Sequence, residues 1–581
     1  MIYEADFETY TVYKGTTPVE AFVQGFYIEN MYNEADNCFG VYIWEFFNFV
    51  GKINENSSIY FHNLSFDGTY IIAELLRRGY KEGNRAGYKY YKLIMDDSAS
   101  IYSIELVTTK GVIITFKCSL KLLQSSIERL AKDLKMPISK LKYDYGKRRK
   151  TRKDFTDDDV LYIKHDVKIA IKAMRDVLLD DDKIGTALSS AGVAFTQMQQ
   201  MRNADNFPPL TDILDSVIRR GYMGGICYVQ PQYKGMLLND VIGYDAKSHY
   251  PSQSVLAKLP MGECAVHEGF VETDNLHYII YEVLIDAELN DDELPCVISR
   301  GYAMLTKREI VGYHIFTEAD IEAIKLSYNI KSIEYTQSFV FERLDDAGFR
   351  NFYKMGFFRK EKYFDMPAIK LEAKIEINGA YGKDGTNPVR YSRGYTLDEF
   401  GVLAYTDPVQ NVKKNTKFYL PVAMGITSAG RLELVKRWHA LKKWAVYCDT
   451  DSIKLLAVAP DGEPLPSGDE LNRILNITPE YDTQDMKSVV AIMGTWASEP
   501  PKTRDTWQFA RFNGKKNYAC WVEDSKGNVV EKLIKGCGCP ADVRDNADPR
   551  EWKKGFITHT KLAKKRVKGG VVLCQTQWEI K

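Results

Sequence analysis

Over the first 110 residues the chain is rich in β-branched and aromatic types, which predicts a sheet. Two helical stretches follow, SLKLLQSSIERLAKDLK at 119–135 and DDDVLYIKHDVKIAIKAMRDVLL at 157–179. In the second, Leu161, Val167, Ile169, Ile171 and Met174 mark an apolar stripe at helical spacing. The pattern changes after Lys183, which places a boundary there. Residues 357–383 predict two helices broken near Asp365-Met366-Pro367, with Pro367 suited to a first helical turn. Residues 385–421 are turn-rich and β-like, an excursion between a helix and the next core element. At 444–456, WAVYCDTDSIKLL, apolar positions alternate on both sides of Asp449-Thr450-Asp451, which predicts a hairpin with those three residues at its tip. The last ~50 residues, ending around KGGVVL, form a small terminal unit near the lower size limit for a domain.

The length, 581 residues, is too great for one core and implies about three to five domains. The one uncharged stretch of 18 residues, 184–201, is rich in Ser, Thr and Gln, so no membrane span is expected, and MIYEADFETY opens in a strand-like pattern with no signal peptide. The expected location is cytoplasmic. Ten scattered cysteines include one close pair, Cys537 and Cys539, and no CxxC, which argues for reduced thiols and against structural zinc. Lysine plus arginine and aspartate plus glutamate both total 78. The balance hides basic runs, KRRKTRK at 147–153 and KLAKKRVK at 561–568, and the acidic DFTDDD at 154–159. Such runs are usually solvated faces. A protein with acidic metal sites would also cancel its DNA-facing charge in the sum, so net charge decides little.

The tip at 449–451 holds more charge than a turn needs. One Asp caps a turn, whereas two held close repel unless a cation neutralises them. Hard cations such as Mg²⁺ take one or two carboxylates together with substrate phosphates. The N-terminal segment repeats the theme. Asp6 and Glu8 lie two apart at a strand end, Asp67 follows another apolar strand, and Tyr162 and Asp166 share a helical face. Each is weak alone, and Tyr162 reads equally well as a half-buried residue with a hydrogen-bonded hydroxyl. Together the four acids and the tyrosine suit two-metal phosphodiester hydrolysis. Asp6 would bridge the metals, Glu8, Asp67 and Asp166 would complete their coordination, and Tyr162 would orient the water.

DFET, HNLSFD and YIKHD resemble the three motifs of the DnaQ-like 3′–5′ exonuclease of family B DNA polymerases. YMGG at 222–225 is similar to that family's Tyr-x-Gly-Gly linker, YDAKSHYPS at 244–252 to polymerase motif A, KIEINGAYG at 374–382 to motif B, YCDTDS at 447–452 to motif C, and KKNY at 515–518 to Lys-x-Tyr. Order and spacing resemble the protein-primed phage polymerases of the phi29 type over nearly the whole chain. The resemblance implies a multidomain α/β and α+β fold: an RNase H-like exonuclease, then a right-hand polymerase with two terminal-protein-region insertions. The expected bounds are exonuclease 1–185, palm 186–256 and 422–528, first insertion 257–350, fingers 351–384, second insertion 385–421 and thumb 529–581.

The same resemblance implies a DNA-directed DNA polymerase with a proofreading 3′–5′ exodeoxyribonuclease, protein-primed, processive and strand-displacing. Two Mg²⁺ per active site are expected, with Mn²⁺ able to substitute. The expected partners are template-primer and single-stranded DNA, dNTPs and a terminal protein, the enzyme being a monomer or a heterodimer with that protein. Asp245 and Asp451 would hold the polymerase metals with Asp449 supporting. Lys374 would bind phosphate, Tyr381 would pack on the nascent base pair, Tyr250 would exclude a 2′-OH, and Lys370, Asn378 and Lys516 would contribute to the nucleotide site. On helical geometry, Lys370, Lys374, Asn378 and Tyr381 fall within about 80° of one face. Two ammonium groups a turn apart there repel unless an anion sits between them. Asn63, Phe66, Ser119 and Leu120 match positions that hold a single strand. Tyr222, Gly224, Gly225, Ser248, Thr427, Arg431 and Tyr518 match further DNA contacts.

Lys247, His249, Glu376 and Gly430 depart from the phi29-type pattern and leave fine contacts open, as does any role of Lys140 in the exonuclease. Two other readings compete: a nuclease whose polymerase half has decayed, and a non-catalytic DNA-binding scaffold. The intact set of Asp245, Asp449, Asp451 and Lys374 argues against the first, and the full complement of acids against the second.

Overall fold

The computed structural model describes residues 1–96, 98–138, 141, 143–178, 187–298, 306–412 and 417–581. Lys140 therefore lies outside the described residues, as do parts of the two expected insertions.

An eight-stranded sheet organises the N-terminal third. Its strand Ile2–Lys14 pairs antiparallel with Thr17–Asn30 and parallel with Ser57–Phe61, which in turn runs parallel to Ile113–Cys118. Side chains alternate across the sheet. Tyr3, Ala5 and Phe7 enter one core, where Phe7, Phe26, Phe46, Phe61 and Phe116 pack edge-on or tilted. Glu4, Asp6 and Glu8 take the opposite parity, toward the helix Asp157–Leu178, whose Ile163, Val167 and Met174 build a second core. The helix Leu64–Arg77 follows the strand Ser57–Phe61 and is buried along most of its length.

Two helical expectations need correction. The stretch 119–135 is two short helices, Leu120–Leu123 and Ile127–Asp133. Gln124 between them is left-handed at φ 52°, and the Ser126 hydroxyl accepts the Arg129 N–H to cap the second. Serine side chains compete for backbone groups and favour such caps over helix interiors. Leu161 is 43% exposed, because Tyr162 and Ile163 take the inward positions beside it.

A second sheet runs in the order 529–536, 517–523, 507–514, 238–246, 452–456, 445–449 and 227–229, with Trp496–Ser498 also on Leu238–Ala246. The hairpin expected at 444–456 is present as Ala445–Asp449 and Ser452–Leu456. Behind it lies the helix Leu420–Leu441, buried over most of its faces. A four-stranded antiparallel sheet, with the helix Glu318–Ser327, occupies the middle of the chain. The helices Ala347–Lys362 and Pro367–Asp384 pack together, broken where the proline predicts.

Residues 389–412 form an arm of two nested hairpins, and Ile557–Val567 with Gly570–Glu579 form a C-terminal ribbon. Arm and ribbon meet. Val402 bridges Lys568, and the Arg566 guanidinium sits 4.1 Å from the Tyr405 ring centre. The ribbon also touches the N-terminal sheet region: Ala21 N–H donates to the Lys568 carbonyl (2.9 Å) and the Tyr70 hydroxyl to the Val571 carbonyl (2.5 Å). Tyr395 and Leu403 of the arm and Val567 and Val572 of the ribbon share a core with Phe7 and Phe61. Among the described residues no helix is long and apolar enough to cross a membrane.

Candidate active sites

The first site is the tip of the hairpin at 449–451. Thr450 is left-handed at φ 61°, and the Asp451 N–H reaches back to the Asp449 carbonyl at 2.6 Å. Asp245, on the neighbouring strand, stands opposite Ser452, and the Ala246 N–H donates to the Asp451 carbonyl at 2.7 Å. Three acids thus converge, one from a strand and two from the tip of the hairpin paired with it. Burial and then the charge of Asp451 push Asp245 up to about 7. Burial also raises Asp451, with Lys374 opposing and Asp449 adding to the rise. Acids raised in this way are short of positive charge, which a bound divalent cation would supply. No closed cage of three metal-ligating side chains is present among the described residues. Open donor sets that leave room for substrate phosphates fit Mg²⁺ better than dedicated cages do.

Cations surround this tip. Lys516 Nζ spans both Asp449 oxygens at 2.8 and 2.9 Å. Burial works against the Lys516 charge, and its bond to Asp449 more than compensates. Lys374 is exposed on the helix Pro367–Asp384 and is close enough to lower both Asp245 and Asp451. Asn378 donates to the Lys374 carbonyl at 2.7 Å. Lys370 lies one turn before Lys374 and is partly exposed.

Tyr250 packs at the base of the tip. Its ring centre is 5.4 Å from that of Tyr381. A Cβ on Gly225 would stand 2.5 Å from Thr450 Oγ1 and 2.8 Å from the Tyr250 hydroxyl, so the YMGG segment is pressed against both by lacking side chains.

The second site lies on the N-terminal sheet. A cavity of about 930 Å³ is lined by Asp6, Glu8, Asp67, Tyr162 and Asp166, with Glu4 behind them. Asp67 sits in the first turn of its helix after Asn63, which is left-handed at φ 84°. Burial raises Asp67 well above the usual carboxylate range, and Glu8 adds to the rise. The Tyr162 hydroxyl is 3.1 Å from that of Tyr145, and its ring stacks on Tyr143. Asn63, Phe66 and Leu120 line the same cavity.

Several expected DNA contacts are internal instead. Arg431 is 2% exposed. Its Nη2 is 2.7 Å from Asp320 Oδ1, and its Nη1 donates to the Met223 and Gly224 carbonyls at 2.6 and 3.1 Å. Its charge is spent holding the glycine segment, so it does not face DNA. Thr427 is buried with its hydroxyl on the Met424 carbonyl (3.2 Å). Ser119 is buried and donates to Glu4 Oε1 at 2.9 Å. Tyr518 is buried against Tyr447 and Phe512. Tyr222 is half-buried against Gly385, and Gly224 is exposed. Ser248 accepts from Lys360 Nζ at 2.8 Å.

The departures acquire reasons. His249 is buried with Nε2 2.9 Å from the Gly430 carbonyl, and burial presses its pKa down to about 4. Gly430 must lack a side chain, since a Cβ there would lie 2.9 Å from the Tyr250 ring. Glu376 pairs with Arg359 at 3.0 Å, and Lys247 Nζ meets the Tyr481 hydroxyl at 3.3 Å. Sequence reasoning missed Lys360, Lys454, Glu499, Glu4, Tyr143 and Tyr145. Lys454 carried a signal, a lysine at an inward position of an apolar strand; it is buried and pairs with Glu499 at 2.9 Å beside Asp245.

Residues 52–156 and 142–456 match the family described as DNA polymerase type B, organellar and viral. The DNA polymerase of Bacillus phage phi29 is 27% identical over 611 residues, covering 100% of this chain and 99% of that protein. The DNA polymerase of Streptococcus phage Cp-1 is 25% identical over 605 residues, covering 99% and 94%. Among solved structures, phi29 DNA polymerase complexed with primer-template DNA and incoming nucleotide superposes with a TM-score of 0.84 over 100% of both chains at 24% identity.

Proposed function

The chain belongs to the organellar and viral type B DNA polymerases, and we propose that it extends DNA at the hairpin-tip site and removes 3′ nucleotides at the N-terminal site. The observation that carries the synthetic assignment is the convergence of Asp245 with Asp449 and Asp451 at the tip of the adjoining hairpin, with Lys374 acting on two of them. Asp245 and Asp451 are the residues that would hold two Mg²⁺ ions, with Mn²⁺ able to replace them. Bound there, divalent cations lower the pKa of the primer 3′-OH and neutralise the departing pyrophosphate. Lys374 takes the triphosphate, with Lys370 accessory. Lys516 keeps Asp449 oriented. Tyr250, fixed from below by Gly225 and Gly430, forms a wall against a 2′-OH, and Tyr381 packs on the nascent base pair. Primer extension with and without Mg²⁺ tests this reading: a protein that binds primer-template DNA without extending it would refute it.

The N-terminal site would hold its cations on Asp6, Glu8, Asp67 and Asp166. Tyr162, held by Tyr145, orients the attacking water, and Asn63, Phe66 and Leu120 grip the single strand. In this reading the exonuclease spans 1–185 and the palm 186–256 with 422–528. The fingers are 351–384, the thumb 529–581, and 257–350 and 385–421 are terminal-protein-region insertions. The meeting of arm and ribbon supports a collar around the duplex, which favours processive, strand-displacing synthesis primed by a terminal protein. Removing residues 390–415 should spare single-nucleotide addition and abolish displacement of a downstream strand. Equal product lengths for deletion and parent, with a competitor trap present, would reject the collar.

A further inference from the structure

Lys454 carries a charge where its neighbours are apolar. Ile453 and Leu455 on either side are fully buried, and Lys454 itself is 2% exposed. Its register partner is Gly243, in the strand that carries Asp245. A Cβ on Gly243 would lie 2.4 Å from Lys454 Nζ, so the ammonium fills the space that the glycine leaves. On the other side of Gly243 stands Glu499, whose N–H donates to the Gly243 carbonyl at 2.8 Å. Lys454 reaches over the glycine and meets Glu499 Oε2 at 2.9 Å. Lysine, glycine and glutamate thus form one row across the sheet.

That row lies one pleat behind Asp245. Residues two apart in a strand point to the same face, about 7 Å from each other. Val241 and Leu456 are buried together in the core on this face, so Gly243, Asp245 and Lys454 share it by alternation. The ammonium lowers Asp245, while Glu499 raises it. A buried ion pair seldom stabilises a fold more than apolar residues of similar volume do, so cohesion alone does not account for a lysine here. Lys374 and Lys516, the other lysines near the acids, are exposed and screened by solvent. Lys454 is enclosed, and its field reaches the acids with little screening.

We propose that Lys454 is a positioning residue of the hairpin-tip site that sets its affinity for divalent cations by acting through Glu499. It neutralises the glutamate and leaves the three aspartates as the acids that attract cations. The inference rests on the reading of that tip as a cation site. A cation that arrives with a triphosphate and departs with pyrophosphate needs moderate affinity, and one more uncompensated acid would overbind it.

The test is Mn²⁺ binding to the full-length protein, read from the electron paramagnetic resonance signal of free Mn²⁺, in an Asp6→Ala, Asp67→Ala background that removes N-terminal acids. Lys454→Met leaves Glu499 uncompensated and should tighten binding about tenfold. Glu499→Gln leaves Lys454 uncompensated and should weaken it by about the same factor. The double variant, again neutral at this pair, should return to the parental affinity. A lysine that only ties strands together would make both single variants bind more weakly; that result overturns the proposal, as do parental affinities in both. If Lys454→Met alone does not fold, the double variant still decides, since it must bind more tightly than Glu499→Gln. Asp245→Asn with Asp451→Asn separates the two levels. If that variant binds Mn²⁺ as its parent does, the tip is no cation site and Lys454 falls with it. If it loses binding while the Lys454 and Glu499 variants are parental, Lys454 alone falls.

Discussion

The hairpin-tip site and the N-terminal site assemble carboxylates in opposite ways. At the tip, one acid comes from the strand Leu238–Ala246 and two from the turn of the hairpin beside it, and Lys374, Lys454 and Lys516 stand around them. In the N-terminal cavity, acids come from a strand and two helices, and among the described residues tyrosines line it where lysines stand at the tip. On the proposed assignment the tip, which would accept a free triphosphate, has its positive charge built in, whereas the N-terminal cavity would receive the end of a strand. The same acids therefore work in different electrostatic settings, and substitutions should separate them.

The largest expected effect is a reciprocal loss. Asp451→Asn keeps shape and removes the charge proposed to hold a metal, and should lower primer extension by roughly three orders of magnitude, since several kcal/mol of transition-state stabilisation would disappear. Single-strand degradation should persist. Asp6→Ala with Asp67→Ala should do the reverse, and extension and degradation assayed on the same preparations will show whether the sites are separable. Next, Gly225→Ala forces a methyl against Thr450 and Tyr250 and should slow extension by about 100-fold, a cost appropriate to displacing the tip by up to an ångström. Parental rates would mean that the segment yields freely. Tyr250→Val should then raise ribonucleotide use relative to deoxynucleotides by roughly 10- to 100-fold, measured by competition, while leaving degradation alone.

The smallest effect concerns stability. His249 has a folded pKa of about 4, below the ordinary 6.5, so the folded protein resists its protonation. Its stabilisation is complete above pH 6.5 and is lost as pH falls from 6.5 toward 4, by at most about 3 kcal/mol. His249→Gln, whose amide can still reach Gly430, should show a smaller drop in urea midpoint between pH 7 and pH 4.5 than the parent. Equal drops would assign the acid sensitivity to other groups.

What the sequence revealed depended on how local each signal was. The tip was legible because both its acids and its apolar flanks lie within 13 residues. The helix break at Pro367 was legible because proline imposes it. The split at Gln124 was not, since no residue there demands a left-handed backbone. Motif matching placed Arg431 and Thr427 near DNA, yet it reports position along the chain and not depth. Arg431 lies below the glycine segment, where only its pairing with Asp320, 111 residues away, reveals its task. Glu4 escaped notice because an acid two residues before Asp6 looks like ordinary strand polarity until its burial is seen.

That pairing of Arg431 with Asp320 bears on modularity. Asp320 belongs to the mid-chain segment that interrupts the central sheet, and Arg431 to the helix that supports that sheet. Excising the segment to obtain a minimal polymerase would strand a buried guanidinium without its counter-ion, a defect of about 3–5 kcal/mol. The segment is therefore grafted into the scaffold rather than appended to it, and a trimmed version would need Arg431 replaced by an apolar residue in the same step.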